Sequence, residues 1–200
     1  GKNVLYITLE MAEEKIAERI DANLLNVNIQ NITDLPKAMF EKKVHKLKKK
    51  TQGELIIKEY PTASAHSGHF KALLNELSLK KSFKPDIIFI DYLNICASSR
   101  YRANSNVNSY SYIKAIAEEL RGLAVEANLP IVSATQTTRS GYGSSDVDLT
   151  DTSESFGLPA TADLMFALIS TEELEGLNQI MVKQLKNRYN DPTIYKRFVI

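Results

Sequence analysis

Residues 4–9 read VLYITL, an apolar run rich in β-formers and too short for a helix, which predicts a buried strand. The run closes on an acid, Glu10. Ile16, Ile20 and Leu24 follow at steps of four and predict a helix with one apolar face. A second helix is predicted from about Pro36, which suits a first helical turn, with Thr33 or Asp34 as its expected cap. Met39, Phe40, Val44 and Leu47 would form its apolar side. Residues 54–60 (ELIIKEY) read as the next strand, and Phe70, Leu73, Leu74 and Leu77 give a further helical stripe. Residues 86–91 (DIIFID) are an apolar strand between two acids. After a polar loop at 97–109, Ile113, Ile116, Ala117, Leu120, Leu123 and Ala124 share one helix face. Residues 130–135 (PIVSAT) predict a strand that ends at Gln136, followed by a second polar loop at 137–150.

The last third changes character. Residues 163–169 (DLMFALI), 180–188 and 195–200 read as strands separated by short turns, with hairpin-type pairing expected. Strands alternating with helices predict a parallel sheet with helices on its faces, because parallel neighbours need crossover connections. The expected fold class is therefore α/β, mostly parallel, with antiparallel strands at the C-terminal end. No internal repeat and no linker is evident, so residues 1–200 are read as a single core.

Composition narrows the function classes. Hydrophobic residues make up 44% and charged residues 24%, as in an ordinary globular protein. No apolar run is long enough to span a membrane, and no signal peptide opens the chain, so a cytoplasmic location is expected. The lone Cys96 excludes an internal disulfide and a cysteine-based zinc cluster, and His45, His66 and His69 are not spaced as a ligand set. The net charge is +1, so any nucleic-acid contact must come from a local patch. The six lysines within residues 42–50 read first as a solvated face near a helix C-terminus, where cations are favoured, and second as such a patch.

In an open parallel sheet, ligands bind beyond the carboxyl ends of the strands. Three predicted strands end there in Glu10, Asp91 and Gln136. Each alone also fits a solvated loop start; together they would bring a base, a metal-site acid and an amide to one rim. Residues 87–93 (IIFIDYL) have the form of a Walker B strand, whose Asp91 could hold the water shell of Mg²⁺. Glu10 could orient and deprotonate an attacking water, and phosphoryl transfer needs little beyond such positioning and charge neutralisation. Lys186 and Arg188 sit two apart on a predicted strand and so point to one side. They read either as charges protecting an edge strand or as an arginine finger with a helper lysine. Arg100 and Arg102 in the first polar loop, with Tyr101, Tyr110 and Tyr112, and Arg139 in the second, with Tyr142, are the candidates for a single-stranded DNA backbone and its bases.

Taken together, the segments VLYITLEMAEE (4–14), IIFIDYLNIC (87–96), SYIKAIAEELRGLAVE (111–126), SSDVDLTDTSESFGLPATADLMFALI (144–169) and KQLKNRYND (183–191) resemble the DnaB-like hexameric replicative DNA helicases, in order and spacing. The resemblance covers essentially the whole chain and implies a RecA-like, P-loop NTPase fold. By it, Glu10 matches the catalytic glutamate, Asp91 the Walker B aspartate that holds Mg²⁺ through water, and Gln136 the γ-phosphate sensor. Lys186 and Arg188 match the lysine and finger arginine that act in trans. The two loops match segments that face a central DNA channel. ATP and Mg²⁺ as cofactors, a homo-hexamer, single-stranded DNA, a primase and a helicase loader are the implied partners. The family's Walker A loop, glycine-rich and ending in Lys-Ser/Thr, has no counterpart in these 200 residues; Gly1-Lys2 is followed by a strand rather than a helix. The core is therefore expected to be cut ahead of its first strand and after Ile200, with negligible ATP affinity of its own. A recombinase or clock-type ATPase, and a degenerate RecA-like module that only binds partners, are the competing readings. The LEM at 9–11 and KNR at 186–188 favour the helicase over the other ATPases.

Overall fold

The computed structural model describes residues 1–101, 106–138, 146–152 and 157–200. The chain divides into two compact units, Gly1–Ala97 with Leu123–Ala134, and Ser98–Gly122 with Thr135–Ile200.

The first unit is built on a parallel sheet. Strand β1 (Val4–Thr8) leads into helix α1 (Glu13–Leu25), α2 (Lys37–Lys50), β2 (Leu55–Glu59), α3 (Ser67–Lys81) and β3 (Ile87–Asp91). The long helix α4 (Ser109–Ala127) then precedes β4 (Ile131–Ser133). The strand order is β2-β1-β3-β4, every pair parallel. Leu5 and Ile7 of β1 and Ile88 and Ile90 of β3 are almost wholly buried. The apolar runs read from the sequence are thus the centre of this sheet; the face of Leu5, Ile7, Ile88 and Ile90 is buried, and Tyr6 and Phe89 on the other face are half-buried. Phe70, Leu73 and Leu77 of α3 are buried as their spacing predicts.

Three local expectations are corrected. Leu24 is 49% exposed, while Ile16 is buried. Steps of four overrun the helical turn by about 40° each, so the line drifts off the covered side. Leu25 is buried instead, and its carbonyl accepts from Lys43 of α2 at 3.1 Å. Neither Thr33 nor Asp34 caps α2; Pro36 occupies the cap position with no side-chain bond. A proline disfavours helical geometry in the residue before it, so the helix cannot start further upstream. The strand expected to end at Gln136 stops at Ser133, because Thr137 bridges to Thr152 instead.

The second unit contains the early part of α4, the short helices α5 (Gly157–Thr161) and α6 (Glu172–Gly176), and strands β5 (Leu164–Ile169), β6 (Met181–Asn187) and β7 (Arg197–Val199). The three strands form an antiparallel sheet in the order β5-β6-β7, with a bulge between Met165 and Phe166. Val147, Ala167 and Ile169 form a small core with Met181 and Leu185 packed against it. The hairpin-type pairing expected of the last third is present; the two five-residue helices carried no periodic signal to announce them. Among the described residues no helix is long and apolar enough to cross a membrane.

Candidate functional site

Parallel register brings two of the candidate acids together. Thr8 pairs with Asp91 across β1 and β3, and the Leu9 amide donates to the Asp91 carbonyl at 2.8 Å. Glu10 is the next residue, in the turn beyond the carboxyl end of β1. That turn is fastened on both sides. The buried Thr8 hydroxyl donates to the Met11 carbonyl at 2.9 Å and accepts from the Met11 amide at 3.1 Å. The Leu9 carbonyl accepts from the Thr62 hydroxyl at 2.7 Å. A carboxylate on such a turn has little backbone freedom left to lose when it meets a ligand.

Tyr6 belongs to the same corner, and the sequence reading missed it. Its hydroxyl donates to Asp91 Oδ2 at 3.0 Å. Burial, the bond to Asp91 and the negative charges of Asp91 and Glu10 push its phenol up to about 12, with Arg19 opposing. The two acids thus share one corner of the rim, Asp91 at the end of β3 and Glu10 two residues beyond the end of β1. The available signal was the period of two along β1, which puts Tyr6 on the side of Thr8, opposite Leu5 and Ile7. Tyr6 bonds Oδ2 of Asp91, and among the described residues Oδ1 would suit a hydrated cation, a fit to the water-shelled binding of Mg²⁺ by one or two carboxylates.

Gln136 is exposed, lies three residues past β4 and groups with the second unit. Of the three expected strand ends, Glu10 and Asp91 are brought together within the first unit. In the second unit, Lys186 on β6 and Arg188 just beyond it point the same way, as their spacing predicts. Lys186 Nζ donates to the carbonyl of Ala160 at 3.3 Å and to that of Pro159, and Arg188 Nη2 donates to Ala160 at 3.1 Å. Burial and the neighbouring Arg188 lower the Lys186 ammonium below the ordinary lysine value, against the pull of Asp163.

Arg102 and Arg139 lie outside the described residues. Arg100 is exposed, and its guanidinium pairs with Glu118 at 2.5 Å. The backbone around it is held by Glu119, which sequence reasoning also passed over. This 9% exposed carboxylate accepts from the Ser98 hydroxyl (2.6 Å), the Ser99 amide (2.9 Å) and hydroxyl (2.7 Å), and the Arg100 amide (3.4 Å). Its signal was a charge inside the apolar stripe of α4, flanked by Ile116, Leu120 and Leu123. Burial pushes its carboxyl up, but the hydrogen bonds from Ser98, Ser99 and Arg100 outweigh that and hold it below the ordinary glutamate value. A depressed carboxyl stabilises the fold above its unfolded value of 4.5, and that contribution is lost as pH falls through the lower folded value. Glu119→Gln is therefore expected to flatten the fall in stability below about pH 4.5 seen in chemical unfolding of the unmodified protein. An equal acid slope in both proteins would contradict the clamp.

The family profile of the DnaB-like helicase C terminal domain matches residues 1–195. The chain belongs to that family. It is 50% identical to the DnaB-like replicative helicase of Enterobacteria phage T4, over all of this chain and 42% of that protein. It is 29% identical to a probable plasmid replicative DNA helicase of Chlamydia psittaci, over 94% of this chain and 41% of that protein. The chain thus spans about two fifths of the length of these relatives. Two solved structures share the fold at 19% identity: a DnaB-like replicative helicase described with its interactions with primase (TM-score 0.76, all of this chain and 47% of that one) and an ATPase domain (TM-score 0.77, all of this chain and 70% of that one). The fold is RecA-like, as the resemblance of the sequence implied. Helicase ATPase domains of this family use nucleotide and Mg²⁺ in general.

Proposed function

We propose that this chain is part of the ATP-dependent motor of a replicative DNA helicase, in which hydrolysis at subunit interfaces drives movement along single-stranded DNA. The observation that carries the proposal is the acidic corner of Glu10 and Asp91 at the carboxyl rim of β1 and β3, where an open parallel sheet places its ligands. Asp91 would hold Mg²⁺, and the cation when bound would neutralise charge on the phosphates. Glu10 orients water toward the γ-phosphate and takes its proton. Gln136 senses the γ-phosphate, and Lys186 and Arg188 reach the nucleotide of a neighbouring subunit. Arg100, with Arg102 and Arg139, contacts the DNA backbone. The active form is a homo-hexamer in the cytoplasm that works with a primase and a loader. Family membership supports this reading over a recombinase, a clock-type ATPase or a module that only binds partners.

The reading is tested on Glu10 in the full-length parent protein. Glu10→Gln removes the proton acceptor and preserves size, so single-stranded-DNA-stimulated ATP hydrolysis is expected to fall about 10²-fold or more. Binding of ATP-Mg²⁺ and of single-stranded DNA is expected to stay within about twofold, since Glu10 adds little to either ground state. A Glu10→Gln protein that hydrolyses ATP at the original rate would remove the acidic corner from the chemistry, and the motor reading with it.

A further inference from the structure

Three cations of the second unit converge on one small anionic socket. Its walls are the last carbonyls of α5 and the carboxylate of Asp163. Arg121 Nη1 donates to the Thr161 carbonyl at 3.0 Å and pairs with Asp163 Oδ2 at 2.7 Å. Arg188 Nη1 donates to Asp163 Oδ1 at 2.8 Å, and its Nη2 to the Ala160 carbonyl. The Arg188 amide also donates to the Asp163 carbonyl at 2.9 Å. Lys186 Nζ donates to the Pro159 carbonyl and shares that of Ala160 with Arg188.

Cations at a helix C-terminus are ordinary, since free carbonyls and the helix dipole favour them. Asp163 adds something that capping does not need. Its two oxygens are divided between two arginines, so Arg121 fixes the carboxylate from one side while the carboxylate fixes Arg188 from the other. A guanidinium has five N–H donors. Among the described residues two of those on Arg188 are engaged, both in the socket, and the side chain is 41% exposed. The group is thus restrained on one edge and open on the other. Donors fixed in advance stabilise developing charge without reorganising when the reaction occurs.

We infer that Asp163 is a positioning residue for the phosphate-directed arginine: braced by Arg121, it sets the pose in which the exposed part of the Arg188 guanidinium meets a neighbouring subunit's γ-phosphate. The inference rests on the finger reading of Arg188 given above. Asp163 acts through Arg188, to which it is bonded, and not on the nucleotide. A displaced finger weakens transition-state contacts more than ground-state binding, so the defect belongs in kcat rather than in KM.

The experiment uses the full-length parent protein and its single-stranded-DNA-stimulated ATPase. Asp163→Ala is expected to lower kcat on the order of 10- to 100-fold, with the KM for ATP within about twofold. Asp163→Glu, which keeps the charge, recovers part of the rate. If Asp163→Ala does not assemble, Arg121→Gln frees one side of the carboxylate and is expected to give a smaller loss with the same split between kcat and KM. The decisive readout is mixing. Glu10→Gln subunits lack a working site of their own but carry an intact, braced Arg188. Asp163→Ala subunits have the reverse defect. Mixed assemblies are expected to hydrolyse ATP several-fold faster than the summed rates of the two variants alone. Three outcomes overturn the inference: mixtures no faster than that sum, a kcat for Asp163→Ala equal to that of the unmodified protein while Arg188→Ala is inactive, or a loss confined to KM. An active Arg188→Ala protein instead brings down the finger reading, and this inference with it.

Discussion

Arg188→Ala in the full-length parent protein is expected to lose ATP turnover by about 10³-fold or more while nucleotide affinity changes little. The magnitude follows from what a guanidinium does in phosphoryl transfer, where charge spreads over the equatorial oxygens and a single donor fork in trans accounts for roughly 10³–10⁵ in rate. The asymmetry between turnover and affinity follows from the role in trans proposed above. In the reading proposed here the finger meets the nucleotide of a neighbour, so a subunit binds ATP without it. The substitution has a structural cost as well, because it frees Asp163 Oδ1 and leaves the Ala160 carbonyl to Lys186 alone. Both stand at the surface and regain water, and Arg121 still pairs with Asp163, so the fold is expected to persist. Single-turnover hydrolysis and equilibrium binding of a nonhydrolysable ATP analogue separate the two effects. Turnover within about tenfold of the original would exclude Arg188 as the finger. Equal loss of turnover and of binding would place it in the ground-state site instead.

The sheet was legible because its strands are short apolar runs that end in acids. Residues 4–9 and 86–91 needed no periodicity to be read, and their pairing follows from the rule that strands joined through helices run parallel. Lys186 and Arg188 were legible because alternation in a strand is geometric, so two cations two apart share a side whatever surrounds them. Asp163 and Arg121 were invisible for the opposite reason. They lie 42 positions apart in the sequence, Arg121 on α4 and Asp163 just ahead of β5, and only the folded second unit makes them neighbours. Tyr6 is intermediate. Its side of β1 could be read, but its partner Asp91 depends on the register between two strands separated by three helices. Gln136 shows where a local rule stops short. A strand was expected to carry it to the sheet rim, yet the strand ends three residues earlier and the chain pairs elsewhere through Thr137 and Thr152.

Phe70→Ala is expected to destabilise the first unit by about 3–5 kcal/mol, the range for removing a buried aromatic ring. Phe70 has no exposed surface and meets the ring of Tyr60 edge-on, with centroids 5.8 Å apart at 67°. It lies on α3 with Leu73 and Leu77, which are 7% and 6% exposed. Truncation therefore loses the transfer of the ring, the edge contact and the packing around a space that rigid neighbours refill only in part. Leu79 supplies the internal comparison. It sits on the same helix, nine residues from Phe70, which at 100° per residue places it half a revolution away. It is 84% exposed. Leu79→Ala removes the same apolar carbons as a Leu→Ala change in a core, yet it is expected to change stability by no more than about 0.5 kcal/mol. Urea unfolding of both variants checks the pair, with the slope unchanged and only the Phe70→Ala midpoint moved. Equal shifts would mean that α3 is covered on its outer side too, and that the stripe read from the sequence does not decide which face carries the load.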